Sequence, residues 1–150
     1  MTLPPHEAAL GTRPLFDNAQ RLHAAGDLRQ AEYLYREILR RDPSHAAAVG
    51  ALGVIACQTG NPTAGIQLLR EAVNHAPGDA DLNNNLGMAL MSTGDAAAAR
   101  PLFEQALAAR ARFPEAHFNC GNACLAEGQN AAAEKHYRVR PLDLLRMFCL

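Results

Sequence analysis

The chain has 150 residues, of which 49% are hydrophobic and 19% are charged, a composition that indicates a folded domain and excludes a disordered segment. The formal net charge is −1 and no basic run occurs, so nucleic acid is not expected as the main partner. Aromatic residues make up only 5% and alanine is abundant, which favours closely packed helices over a sheet.

A spacing of 34 residues organises most of the chain. Such a self-similar period predicts a solenoid, in which one supersecondary unit is stacked on the next. Function in such a chain is expected on a repeated surface rather than in a catalytic pocket. Glycine recurs at this spacing in two columns: Gly53, Gly87 and Gly121, and Gly26, Gly60, Gly94 and Gly128.

In chain order, we predict a flexible N-terminal arm over residues 1–11, a repeat domain over residues 12–139 and an apolar tail over residues 140–150. Each repeat is predicted to be a helix, a short turn and a second helix. The four repeats have the bounds 12–45, 46–79, 80–113 and 114–139.

The second repeat illustrates why these residues favour paired helices. Gly53 stands at a helical position where a side chain would block the neighbouring helix. The segment 60–62 reads Gly-Asn-Pro, in which glycine tolerates a left-handed helix end and proline suits the first turn of the next helix. Asp79 is placed to cap the helix that opens the third repeat.

The fourth repeat departs from the pattern near its end. Its second helix is expected to run from Asn130 to about Val139, because Pro141 stops or kinks a helix. The residues beyond are strongly apolar, whereas solenoids need a polar end. A fragment, a changed reading frame and a functional device all remain open. For the last of these we predict self-association through Leu142, Leu145, Met147 and Phe148.

The amino-acid pattern of the repeats resembles that of the tetratricopeptide repeat family over about residues 12–139. The first helices carry the stretches ADLNNNLGMAL (80–90) and PEAHFNCGNAC (114–124), and the second helices carry AEYLYREILRRDP (31–43) and AARPLFEQALA (98–108). The resemblance implies an all-α solenoid of about four antiparallel helix pairs that form a right-handed superhelix. It also implies that a peptide or protein binds in the concave groove lined by the first helices.

First-helix positions outside the packing columns are expected to face that groove. In tetratricopeptide arrays of O-linked N-acetylglucosamine transferases, the slot filled here by Asn85 and Asn119 forms an asparagine ladder along a bound peptide. Asp17 and Ala51 fill that slot in the first two repeats, so at most half a ladder exists. The predicted peptide-binding residues are Asn84, Asn85, Met88, Phe118, Asn119, Asn122 and Val54.

A second family theme, the carboxylate clamp of chaperone adaptors, needs Lys and Arg beside Asn in the first-helix slots. Those slots here hold Phe16, Gly50, Asn84 and Phe118. Chaperone C-termini are therefore not expected as ligands.

Few residues suggest metal binding or catalysis. His117, Cys120 and Cys124 share one helix face, a spacing that can present three soft ligands to zinc. Their columns are mostly apolar in the other repeats, so core filling is favoured, with His136 a fourth ligand only by coincidence. No phosphate-binding glycine loop or nucleophile elbow occurs. We therefore predict no metal, no cofactor and no enzymatic activity.

These observations predict a non-catalytic scaffold that binds an extended protein or peptide segment. The alternatives are a substrate-recruiting module of a larger glycosyltransferase-like enzyme and a self-assembling structural protein. Residues 1–11 lack the basic and apolar regions of a signal peptide, and no stretch reaches the roughly 20 apolar residues of a membrane span. A cytoplasmic protein with no membrane partner, with its cysteines reduced, is expected.

Overall fold

Eight α-helices make up the part of the chain that the structure, a computed structural model, describes, namely the backbone of residues 5–147 and the side chains of residues 11–139. No strand occurs in that part, which confirms the predicted all-α class. None of its helices is both apolar enough and long enough to cross a bilayer. The helices are α1 (Pro5–Ala24), α2 (Leu28–Arg41), α3 (Ala46–Gln58), α4 (Pro62–His75), α5 (Ala80–Ser92), α6 (Ala96–Ala109), α7 (Pro114–Ala126) and α8 (Asn130–Met147).

The helices form two compact units, Met1–His75 and Ala76–Leu150. In the first unit α1 packs on α2, α2 on α3 and α3 on α4, and in the second unit α5 to α8 pack in the same consecutive way. The core of the first unit surrounds Tyr35 and Ile38, and Phe103 is fully buried in the second. Each unit is therefore a pair of helical hairpins, as two repeats require.

The turn inside each repeat follows from its glycine. The four turn glycines have φ between +76° and +87°, the left-handed conformation that side chains disfavour. In the second repeat the backbone N–H of Asn61 donates to the carbonyl of Ala56, which closes the end of α3. The side chain of Asn61 then accepts from the backbone N–H of Ala64 and caps α4.

The other glycine column marks close contact between paired helices. A Cβ atom on Gly53 would lie 2.8 Å from Cγ of Leu69, and one on Gly87 would lie 2.5 Å from Cε1 of Phe103. Both distances are below van der Waals contact. The prediction that a side chain at Gly53 would block the neighbouring helix is confirmed.

Two helix ends differ from the prediction. The helix α1 begins at Pro5 and so includes much of the predicted arm. The expected end of the last helix near Val139 is wrong, because α8 continues past Pro141 to Met147. An interior proline removes one N–H donor and crowds the carbonyl four residues earlier, which can kink a helix without ending it. Pro101 is tolerated in the same way inside α6.

The predicted association tail falls largely outside the described residues. Leu142, Leu145 and Met147 lie on the backbone of α8, but their side chains are not described, and Phe148 lies outside the described residues. The self-association assigned to them therefore stays a prediction.

Candidate peptide-binding groove

An open groove of about 640 Å³ lies in the second unit, where α5 and α7 pack against each other. These are the first helices of the third and fourth repeats. The groove therefore has a floor of two parallel first-helix faces and a rim contributed by the loop before α7. Its lining residues are Asp81, Asn84, Met88, Arg110, Phe113, Pro114, Glu115, Phe118 and Asn119.

Two asparagine side chains join the helices across the floor of this groove. Nδ2 of Asn119 donates a hydrogen bond of 3.0 Å to Oδ1 of Asn84. Nδ2 of Asn84 in turn points to Sδ of Met88 at 3.5 Å. Asn84 is only 5% exposed, so its amide is held in one orientation, and it presents Asn119 to the groove.

The remaining predicted groove residues, Asn85, Asn122 and Val54, do not line this groove. Asn85 is half-buried and is not among the lining residues of the groove. Oδ1 of Asn122 accepts a hydrogen bond of 2.6 Å from the hydroxyl of Tyr137. Asn122 also lines a smaller hollow of about 170 Å³ next to Met88. Val54 is half-buried on α3 in the first unit.

The apolar surface of the groove comes from Met88 and Phe118. Met88 is 49% exposed and Phe118 is 39% exposed, which is unusual for side chains of their size. The Phe118 ring lies 6.1 Å from the ring of Tyr137, so α8 supports it from one side. Exposed apolar side chains beside fixed amides are typical of ligand sites.

A charged rim borders the groove, and the sequence argument missed it. The guanidinium of Arg110 donates to Oδ2 of Asp81 at 2.5 Å and stacks over the ring of Phe113 at 4.4 Å. The hydrogen bond to Asp81 raises the pKa of Arg110, which burial opposes slightly. Glu115 adds a second carboxylate to the lining.

Arg110 and Phe113 were missed because only first-helix positions were considered, and they lie outside the first helices. Arg110 follows the second helix α6, and Phe113 lies in the loop before α7. A signal was present in the sequence, since Phe113 occupies the column of the capping residue Asp79. Phe113 makes no side-chain cap bond, and Pro114 opens α7 instead.

In the first unit two of the first-helix positions, Phe16 and Gly50, take part in packing. The Phe16 ring lies 5.8 Å from that of Tyr35 and 5.2 Å from that of His45. Gly50 is buried. Phe16 and Gly50 are therefore near-core and core groups, whereas Asp17 on α1 is exposed and Ala51 on α3 is half-buried.

A cluster of thiols and imidazoles joins α7 to α8. Ligand atoms of Cys120, Cys124 and His136 all lie within 4.8 Å of one another. Sγ of Cys120 is 3.4 Å from Nε2 of His136, whose Nδ1 is 3.3 Å from Nδ1 of His117. Nε2 of His117 lies 3.0 Å from the carbonyl oxygen of Ala111.

Burial sets the protonation of this cluster. Cys120 is fully buried and Cys124 nearly so, and desolvation raises the pKa of Cys120 to about 12. Desolvation, followed by the nearby His117, lowers the pKa of His136. Without a ligand both Cys120 and His136 are therefore neutral at pH 7. The predicted core filling by Cys120 and Cys124 is confirmed by their burial, whereas the contact with His136 was not foreseen.

Two sequence profiles, each described as tetratricopeptide repeat, match the chain, one over residues 22–86 and the other over residues 84–140. Together they span residues 22–140, which is well over half of the chain. No curated protein sequence matches it.

The chain also resembles solved structures over most of its length. A mutant of the Thermobaculum terrenum O-GlcNAc transferase is 27% identical with a TM-score of 0.74, covering 83% of this chain and 23% of the transferase chain. MamA from Desulfovibrio magneticus is 19% identical with a TM-score of 0.74, covering 93% of this chain and 78% of that one. Another MamA structure is 19% identical with a TM-score of 0.78, covering 93% and 81%. The chain thus spans less than a quarter of the transferase, and its likeness to MamA is one of fold.

Proposed function

The chain belongs to the tetratricopeptide repeat family, and on that premise we propose that it is a non-catalytic protein–protein interaction scaffold. The ligand is an extended segment of a partner protein, and it lies in the groove between α5 and α7. The observation that carries the proposal is the Asn84–Asn119 amide pair beside the exposed side chains of Met88 and Phe118.

The amides supply backbone recognition. Each amide has two N–H donors and one acceptor oxygen, so Asn119 can donate one N–H to Asn84 and offer the other, with its oxygen, to a peptide. A hydrogen bond of this kind contributes about 1 kcal/mol net. Such bonds read the main chain of a ligand rather than its side chains, which suits a scaffold that accepts extended segments.

Apolar contact and charge supply the remaining selectivity. Phe118 and Met88 can cover an apolar side chain of the ligand, and aromatic anchors of this kind dominate many interfaces. At the rim, Asp81 and Glu115 carry two negative charges against the single positive charge of Arg110. This leaves a net charge of −1, so the segment is expected to place a basic rather than an acidic residue there.

The test selects ligands first and then removes groove side chains. Peptides from a displayed random library are enriched on the wild-type chain, and the dissociation constant of the best one is measured by calorimetry. Phe118→Ala is expected to raise that constant about 30-fold, because truncating an aromatic anchor costs about 2 kcal/mol or more.

Leu125→Ala is the matched control, because Leu125 lies on the same helix α7, is 53% exposed and is not among the lining residues of the groove. It is expected to leave the affinity unchanged. Equal affinities of wild type and Phe118→Ala, with both variants folded by circular dichroism, would refute the groove as the binding site.

A second candidate function is that of a substrate-recruiting module in a larger glycosyltransferase-like enzyme. The 27% identity to the O-GlcNAc transferase over 83% of this chain favours it. It predicts that peptides selected on the groove become acceptors for a transferase expressed together with this chain. If no such enzyme modifies the selected peptides, the scaffold function remains as the sole candidate of the two.

A further inference from the structure

The fourth repeat differs from the others at four positions that cluster between α7 and α8, namely His117, Cys120, Cys124 and His136. Elsewhere the column of His136 holds leucine in every repeat: Leu34, Leu68 and Leu102. Leucine also stands in the column of Cys120 at Leu52 and Leu86. Since leucine fills this space in the sister repeats, core packing alone does not call for a thiol next to an imidazole.

The hydrogen bonds around His136 fix which nitrogen faces the thiols. Nε2 of His117 lies 3.0 Å from the Ala111 carbonyl, which only accepts, so His117 carries its proton on Nε2 and accepts at Nδ1. His136 must then donate from Nδ1 across the 3.3 Å contact. Its Nε2 lone pair is consequently directed at Sγ of Cys120, 3.4 Å away.

This is the arrangement that metal-binding histidines adopt, with one nitrogen facing the ligand site and the other N–H held by an outer partner. Zinc bonds of about 2.3 Å to sulfur and about 2.0 Å to nitrogen imply separations of about 3.6 Å between S and N and about 3.8 Å between two S atoms in a tetrahedron. The 3.4 Å contact of Cys120 with His136, and the 4.8 Å limit on the whole group, need only small adjustments to meet these values.

We propose that Cys120, Cys124 and His136 bind one zinc ion between α7 and α8, with His117 orienting His136. On binding, the two S–H bonds break and both protons pass to solvent, and the metal takes the place of the proton shared between Cys120 and His136. Two thiolates balance the two charges of zinc, so the buried site stays neutral. The fourth position is filled by water.

Metal titration of the full chain, stripped with a chelator and kept reduced, tests the proposal. Cobalt(II) is expected to bind at one ion per chain with the intense near-ultraviolet band of thiolate coordination and tetrahedral visible bands. Zinc is expected to displace it and to raise the melting temperature.

The variants are chosen to keep the fold by copying sister repeats. Cys124→Ala copies Ala56, and His136→Leu copies Leu102. Each removes a ligand and is expected to weaken zinc binding by more than about 100-fold, beyond the range for outer partners. His117→Val copies Val49, removes only the orienting acceptor and is expected to weaken binding by about 10- to 100-fold.

The matched control is the double variant Cys57→Ser and Cys149→Ser, which removes the other two cysteines and is expected to bind cobalt as the wild type does. Absence of the thiolate band from the wild type would overturn the proposal. So would unchanged affinity in folded Cys124→Ala, or loss of the band in the double control.

Discussion

At the scale of single residues, a helix glycine and a side chain of the paired helix pack together in the second, third and fourth repeats. Gly87 lies against Phe103, and Gly121 lies against the Tyr137 ring, where an added Cβ would be 2.6 Å from Cε1. The large ring fills the space that the missing side chain leaves. The 34-residue glycine column predicted the close approach of a neighbouring helix but not the side chain that fills the space.

Adding a methyl group at Gly87 therefore tests this packing. Gly87→Ala is expected to lower the free energy of unfolding by about 1–3 kcal/mol, because the buried Phe103 ring cannot move aside. Gly11→Ala is the matched control, since Gly11 is also helical but has nothing within 4 Å of an added Cβ. It is expected to stabilise the chain by about 0.5–1 kcal/mol.

Chemical denaturation of the two variants and the wild type measures both the expected decrease and the expected increase in the free energy of unfolding. Equal stabilities of Gly87→Ala and Gly11→Ala would contradict the packing role of Gly87.

At the scale of elements, the columns predicted which positions are buried but not which side chains meet. Asn119 bonds to Asn84, which is 35 residues away, rather than to Asn85 in its own column. A period in the sequence gives equivalent positions, whereas contact across two helices depends on how they are offset. The sequence therefore predicted the amide-bearing face but not the bond between Asn84 and Asn119.

Buried polar groups show the same limit. Asn83 shares a column with Val49 and is fully buried. Its Nδ2 nevertheless donates to the carbonyls of Pro77 and Asp79 at 2.9 and 2.8 Å, tying the preceding loop to α5. Hydropathy columns cannot reveal such a bond, because it depends on the path of the loop backbone.

At the scale of the whole molecule, the period and the helix-end signals predicted almost the entire helical order, because every repeat has the same local chemistry. The helix bounds depart from the prediction at the start of α1 and beyond Val139, and the loop between α6 and α7 lacks a side-chain cap. Arg110 and Phe113 in that loop border the groove. The candidate binding surface thus includes residues that break the repeat.

The apolar segment beyond Val139 carries a prediction at this scale. We propose that Leu142, Leu145, Met147 and Phe148 mediate self-association, because burial of apolar side chains is favourable. Light scattering is expected to give a larger mass for the full chain than a monomer and a monomeric mass for a chain ending at Val139. Equal monomer masses for both would contradict the proposal.

The most direct test of peptide binding in the groove is an NMR titration of the chain with its selected peptide, following the side-chain amide signals. If the peptide lies between α5 and α7, the signals of Asn84 and Asn119 shift strongly, whereas those of the exposed Asn74 on α4 and Gln105 on α6 stay in place. Shifts at Asn74 or Gln105 with unchanged signals from Asn84 and Asn119 would contradict binding in the groove.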